Sequence, residues 1–260
     1  MTKWKELKVY RNLEPSEIPK SFKTFAHFIL DNLQDKSFCI TETKTRKKIY
    51  RITEDFEQAI IFDNSNRWAK NQKEIRIDIA IKSLFSKTPE VDYLLSSAWE
   101  MDKEFKMSYP ITQEFLLLAE HLTEIINVKL IPFFDKYSKA EKIIENKDLF
   151  IRETTTEGKI WECSLVTENL IYECSFRQRN KKLFMEYNTK FIEWQENRLE
   201  QINHIGENIS YSQSIIDIIK QLHLEKEIFQ NNELYEKEII NQSLRKQLYI
   251  ENRSKMKPSR

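Results

Sequence analysis

From Lys73 to Lys82 the chain reads Lys-Glu-Ile-Arg-Ile-Asp-Ile-Ala-Ile-Lys, and Ile75, Ile77, Ile79 and Ile81 alternate without a break against Arg76, Asp78, Ala80 and Lys82. A period of two belongs to a strand, because successive side chains of extended backbone point to opposite faces. One face is therefore wholly β-branched and predicts a core, with each isoleucine contributing roughly 1.5–3 kcal/mol on burial. The other face carries Glu74, Arg76, Asp78 and Lys82 and is expected to meet solvent or a ligand. Upstream, Ile49 to Asp55 and Phe56 to Asp63 have the aromatic and β-branched content of partner strands, and the polar run from Asn64 to Gln72 suits a turn. Three such runs so close together predict an antiparallel meander.

Helical periodicity brackets this sheet. Ile18, Phe22, Phe25, Ala26, Ile29 and Leu33 recur at three and four residues and predict a helix over 16–34 with one apolar stripe. His27 falls at the edge of that stripe and reads as a core-edge residue. Ser37 to Glu42 adds a first strand, and Lys44, Arg46, Lys47 and Lys48 then form a basic hairpin tip. Past the central strand, a loop with a short helix near 91–99 is expected. Phe115, Leu118, Ala119, Leu122, Ile126 and Leu130 predict a helix over 112–131, N-capped by Thr112 and interrupted by Pro132. Ser138 should cap a further short helix through Glu145. His121 has the same structural reading as His27, and Asp135 at the proline bend reads as a cap or salt-bridge partner.

The order Lys48-Ile49-Tyr50-Arg51, Asp55 to Ile60, a turn with Ser65 and Trp68, the alternating strand from Glu74 to Ile81, and the stretch from Leu118 to Ile144 resembles an uncharacterised bacterial domain-of-unknown-function family, number four-three-zero-four. The resemblance covers roughly residues 48–146. It implies a strand-rich half followed by a helix, a Pro-Phe bend and a second capped helix, and it implies no activity. This chain has Ala80 and Ile81 where that family often has Asn and Gly.

After residue 147 the pattern turns helical, although Gly158 leaves a hairpin open between 149–155 and 159–165. Leu183, Phe184, Tyr187, Phe191 and Trp194 make an aromatic stripe that reads as core rather than as a base-stacking platform. Gly206 is expected to break this helix and Ser210 or Ser212 to cap the next, with Ile215, Ile218, Ile219 and Leu222 inward. From Glu225 onward, Leu234, Leu244 and Leu248 form a thin seam on a charged helix that is either exposed or docked on a partner. The expected fold is α+β: a mostly antiparallel sheet of four or five strands packed against helices over 1–147, then a helical region over 148–260.

The function classes narrow by composition. Only Gly158 and Gly206 are glycines, and phosphate-cradling loops and nucleophile elbows need glycine where backbone approaches closely. With 42 Lys+Arg against 41 Asp+Glu, no global field draws nucleic acid or an anionic membrane. No apolar run has membrane-spanning length and the first residues lack a secretory apolar region, which predicts a cytoplasmic protein. Cys39, Cys163 and Cys174 make no CxxC pair and read as reduced, half-buried thiols; His27, His121, His204 and His223 show no metal-ligand spacing, so neither metal nor cofactor is expected. Two readings remain. The leading one is a non-catalytic protein-binding domain of the immunity type, which neutralises a partner toxin through Glu74, Arg76, Asp78 and Lys82 and the tip residues Lys44, Arg46, Lys47 and Lys48. The alternative is a Mg²⁺-dependent nuclease or nucleic-acid-binding protein, with Asp63, Glu74 and Asp78 holding the metal. In the second reading Arg76 stands where a proton-accepting lysine would serve, and arginine stays protonated at neutral pH.

Overall fold

The computed structural model describes residues 4–7, 9–64, 74–86, 93–149, 162–205 and 209–255. The fold is α+β. Strands β1 (Cys39–Glu42), β2 (Arg46–Ile52), β3 (Phe56–Asp63), β4 (Glu74–Ser83) and β5 (Tyr93–Ser97) lie side by side in sequence order, all antiparallel, and the two-residue β6 (Tyr109–Pro110) pairs with the start of β4. Ile60 faces Ile79 and Phe62 faces Ile77 across the β3–β4 ladder, while Ile49 faces Ile60 across β2–β3. That register aligns the apolar sets of three strands on one face, and all four alternating isoleucines of β4 are buried. The expected turn from Asn64 to Gln72 falls outside the described residues apart from Asn64.

Helix α1 (Ile18–Asn32) lies on that face through Phe22, Phe25, Ala26 and Ile29, with Phe25 edge-on to Phe62 of β3 at 5.4 Å. Pro19 sits in its first turn, where a missing N–H costs nothing. The short α2 (Ala98–Met101) follows β5 directly, so residues 93–101 hold a strand and then a helical turn where a loop and short helix are expected. The Tyr-Leu-Leu-Ser-Ser run lacks alternation, and pairing with β4 across a bulge at Ile79/Ala80 is what makes it a strand.

The expected single helix over 112–131 is three pieces: α3 (Phe115–Ile125), a π-helical turn at Ile126–Leu130, and α4 (Ile131–Lys136). Pro132 falls in the first turn of α4, so the wider turn before it absorbs the lost donor and the chain stays helical. Thr112 does not sit at the N-cap; its hydroxyl accepts the Glu114 N–H at 3.3 Å, ahead of the first helical residue. Asn127, in the π-turn, accepts the Gln34 N–H at 2.9 Å and donates to the Asn32 carbonyl, capping the end of α1. Ser138 donates back to the Asp135 carbonyl.

The chain divides into two compact units, residues 1–84, 88–139 and 251–260, and residues 85–87 and 140–250. The boundary lies earlier than 147 because α5 (Ala140–Glu145) packs against α6 (Glu162–Arg177). The second unit adds α7 (Lys181–Ile205), α8 (Ile209–Gln230) and α9 (Asn232–Lys255). Its centre is aromatic: Phe184 stacks on Phe229 at 4.1 Å, with Tyr172, Phe176 and Tyr235 around them. The stripe of Leu183, Phe184, Tyr187 and Phe191 is buried as core, and Trp194 is half-buried under Arg198. Arg179 takes a left-handed φ of 51° at the end of α6, and Asn180 and Asn231 cap α7 and α9 through their side-chain oxygens. Ser210 and Ser212 lie inside α8 rather than before it, and Ile218 is exposed while Ile215 and Leu222 point inward. Gly158, Gly206 and the question of a hairpin around 150–161 fall outside the described residues.

Candidate functional site

Antiparallel register decides which charges share a face. Opposite the isoleucines, the second face of the sheet collects Arg46, Lys48 and Tyr50 from β2, Glu57, Ala59, Ile61 and Asp63 from β3, and Glu74, Arg76, Asp78, Ala80 and Lys82 from β4. Only part of it meets solvent. Tyr50, Ala59, Ile61 and Ala80 form a small apolar cluster, and Lys48, Glu57, Asp78 and Lys82 are buried around it.

The middle of this face is closed by ion pairs. Glu57 is completely buried and accepts from Lys48 Nζ at 2.7 Å and from Arg253 Nη2 at 3.2 Å; Lys82 stands opposite it in the ladder. Arg253, in the last turn of α9, also covers the Tyr50 ring at 4.8 Å. Burial pushes the Tyr50 hydroxyl above its ordinary pKa, with Arg253 opposing. Expecting Lys82 and Asp78 at a solvent-facing surface is thus corrected. Charges on a strand that also carries Ala80 and lies beside Ile61 and Ala59 are drawn under cover with that apolar patch, and ionic partners make their burial tolerable.

The tip is corrected in the same way. Lys44 and Arg46 are exposed, but Lys47 and Lys48 belong to β2 and are buried, Lys47 on the isoleucine face. There Lys47 Nζ lies 3.1 Å from Glu42 and 5.4 Å above the Phe22 ring. Lys23 adds a second ammonium at 3.1 Å, and His27 Nε2 stands 3.7 Å away. Burial alone would raise the Glu42 pKa; the two lysines outweigh it and hold the carboxyl at about 2.

What remains open is one end of the face. Arg46 on β2 stands opposite Asp63 on β3, which stands opposite Arg76 on β4. This three-strand ladder of alternating sign leaves Arg46 and Arg76 exposed and Asp63 half-buried between them. Arg76 has a side chain 56% exposed yet fixed, since its Nε and Nη2 both lie 3.1 Å from the buried Asp78 carboxylate. Ser97 of β5 donates to the other Asp78 oxygen at 3.1 Å. Glu74 accepts from the Ser108 hydroxyl at 2.6 Å. The three carboxylates of the nuclease reading therefore share the face, but Glu74 and Asp78 each have a partner of their own, and Arg76, which stands opposite Asp63 in the ladder, is paired with Asp78. Among the described residues no group of three His, Cys, Asp or Glu side chains is placed to hold a metal ion.

A second polar constellation, not anticipated from the sequence, lies on the isoleucine face. Arg51 Nε donates to Gln58 Oε1 at 2.9 Å, its Nη1 to Asp35 and its Nη2 to Asp135, both at 2.7 Å, and its plane lies over the Phe38 ring. Gln58 in turn donates to the carbonyls of Phe134 and Tyr137 at 2.6 and 3.0 Å. Burial disfavours the Asp35 charge, but the Ser37 N–H and Arg51 more than compensate and lower its pKa. Asp135 is thereby a salt-bridge partner. The signal available in the sequence was Gln58 falling among Phe56, Ile60 and Phe62 at strand spacing. His121 is stacked on Trp4 at 5.6 Å, and burial lowers its pKa. Cys39 is an exposed free thiol and Cys174 a buried one, so both depart from the half-buried expectation, and the side chain of Cys163 lies outside the described residues.

No family model, curated protein or solved structure matches the chain. No helix among the described residues is long and apolar enough to cross a membrane.

Proposed function

We propose that this chain is a non-catalytic, cytoplasmic protein-binding domain of the immunity type, and that it meets an acidic surface of a partner toxin with the Arg46–Asp63–Arg76 end of its sheet. The observation that carries the proposal is the ladder itself: two exposed arginines held about two strand spacings apart, roughly 10 Å, on a rigid sheet. A pre-positioned arginine loses little side-chain entropy on binding and offers a planar fork to carboxylates, which is why arginine is enriched at the centres of protein interfaces. Lys44 on the adjoining turn adds a third positive charge that steers association. Lys47, Lys48, Asp78 and Lys82 act in this reading as internal struts rather than as contacts, so the binding surface is narrower than the eight residues picked out by sequence.

The test is capture of the partner on the full chain from its native cell, followed by binding of the purified partner to Arg46→Glu, Arg76→Glu and the double variant. The double reversal should weaken binding by about a hundredfold, chiefly through slower association and with loss of salt dependence. Binding that is indifferent to both reversals would remove the ladder from the contact. Cleavage of DNA or RNA that requires Mg²⁺ and disappears in Asp78→Asn would replace the proposal with the nuclease reading. A neighbouring gene encoding a secreted toxin would support the immunity assignment.

A further inference from the structure

Helix α9 is turned inside out. Its buried side carries Tyr235, Glu238 and Gln242, with Arg245 half-buried beside them. That polar side is committed: the Tyr235 hydroxyl donates to the Phe176 carbonyl at 3.0 Å, Arg245 pairs with Glu238 at 2.6 Å, and Arg177 donates to Gln242 at 3.3 Å. The opposite side carries Ile240, Leu244 and Leu248, which are 60%, 53% and 58% exposed. Rolling the helix to bury them would break the hydrogen bonds that tie Tyr235 and Gln242 to α6. An aliphatic stripe that the described residues leave this exposed calls for a cover from outside.

The order of charges around the stripe specifies what that cover is. Glu233, Lys237, Ile240, Leu244, Leu248, Glu251 and Lys255 follow one another at spacings of four, three, four, four, three and four residues. At about 100° per residue all seven fall within an arc of about 80°. The spacing reads the same in both directions from Leu244, whereas the charges invert: Glu233 and Lys237 on one side, Glu251 and Lys255 on the other. We infer that α9 pairs antiparallel with α9 of a second copy of this chain, across a two-fold axis at Leu244. Leu244 then meets its own mate, Ile240 meets Leu248, Lys237 meets Glu251 and Glu233 meets Lys255, each contact made twice as an isologous interface requires. A parallel pair would instead set Lys237 on Lys237 and Glu251 on Glu251. Lys237 and Glu233 already bridge along their own helix at 2.6 Å, but both are exposed, and so loose a pair exchanges partners at little cost. This inference is independent of the arginine ladder.

One helix pair is a small interface, so sedimentation velocity on the full chain should show a reversible dimer with Kd of about 1–100 µM. Leu244→Glu should weaken it by about a hundredfold or more by placing two carboxylates in the apolar centre, while circular dichroism and melting stay unchanged because the residue is exposed. Lys237→Glu should weaken it by about tenfold, and adding Glu251→Lys should restore it. In a Cys39→Ser background, Leu244→Cys should oxidise to a disulfide-linked dimer, whereas Ile240→Cys should link to Leu248→Cys but not to itself. A wild-type chain that stays monomeric to about 100 µM overturns the inference. So does a dimer that survives Leu244→Glu, one whose charge swap restores nothing, or one in which Ile240→Cys links to itself as readily as Leu244→Cys.

Discussion

β4 and α9 are the two elements whose amphipathic pattern is plainest, and they use it in opposite ways. In β4 the isoleucines go inward and the charged side is partly buried as well, Asp78 paired with Arg76 on its own strand and Lys82 set opposite Glu57 on the next. In α9 Ile240, Leu244 and Leu248 go outward and the buried side is held by hydrogen bonds. A strand at the centre of a sheet has two ladders that fix its register, and slipping by one residue would exchange its faces, so its pattern determines its placement. A helix has no such lock. Its orientation about its own axis follows whichever side makes the better set of contacts, and Tyr235 with Glu238, Gln242 and Arg245 prevails over three aliphatic side chains.

The largest effects should come from the charges buried on the sheet. Glu57→Gln leaves the Lys48 and Arg253 cations on a neutral partner under cover and should cost about 3 kcal/mol in chemical denaturation, whereas adding Lys48→Met should recover a substantial part of it. Equal loss in the single and double variants would show that Glu57 acts through shape rather than charge. The apolar sides of the two elements come next. Ile79→Ala should cost about 2–5 kcal/mol by opening a cavity in the core, but Leu248→Ala on α9 should change monomer stability by less than about 0.5 kcal/mol. Matching costs would mean that α9 buries its leucines within the monomer, and the contrast would fall.

The smallest effect is a matter of pH. The Glu42 pKa is held at about 2, below its ordinary value near 4.5, so the folded state binds this proton less readily than the unfolded chain does. Its stabilisation is complete above the unfolded value and is lost as pH falls from about 4.5 towards 2. Urea melts across that window should lose stability less steeply in Glu42→Gln than in the wild type, and equal slopes would assign acid sensitivity to other carboxylates.

The sheet was legible because period-two alternation, once three runs lie close together, leaves only one efficient register: Phe56–Asp63 appears with its expected bounds and β4 shifted by one residue at its end. β5 was not legible, since nothing in Tyr-Leu-Leu-Ser-Ser alternates and the strand exists by virtue of its partner. The arginine ladder could be guessed only residue by residue. Arg46, Asp63 and Arg76 are 17 and 13 positions apart, and it takes the actual pairing to set them in line. Lys47 and Lys48 were misplaced because a run of basic residues reads as a turn, whereas β2 begins inside it and turns one lysine to each face.

The Gln58 amide reaches the carbonyls of Phe134 and Tyr137 at the end of α4, groups that a helix terminus would otherwise leave to solvent or to its own last turn. The helix end is thereby fastened to the middle of a strand and cannot fray by itself. Amide hydrogen exchange in this last turn should proceed not at the rate of a loose terminus but at that of β3, as one cooperative opening in which strand and helix are released together.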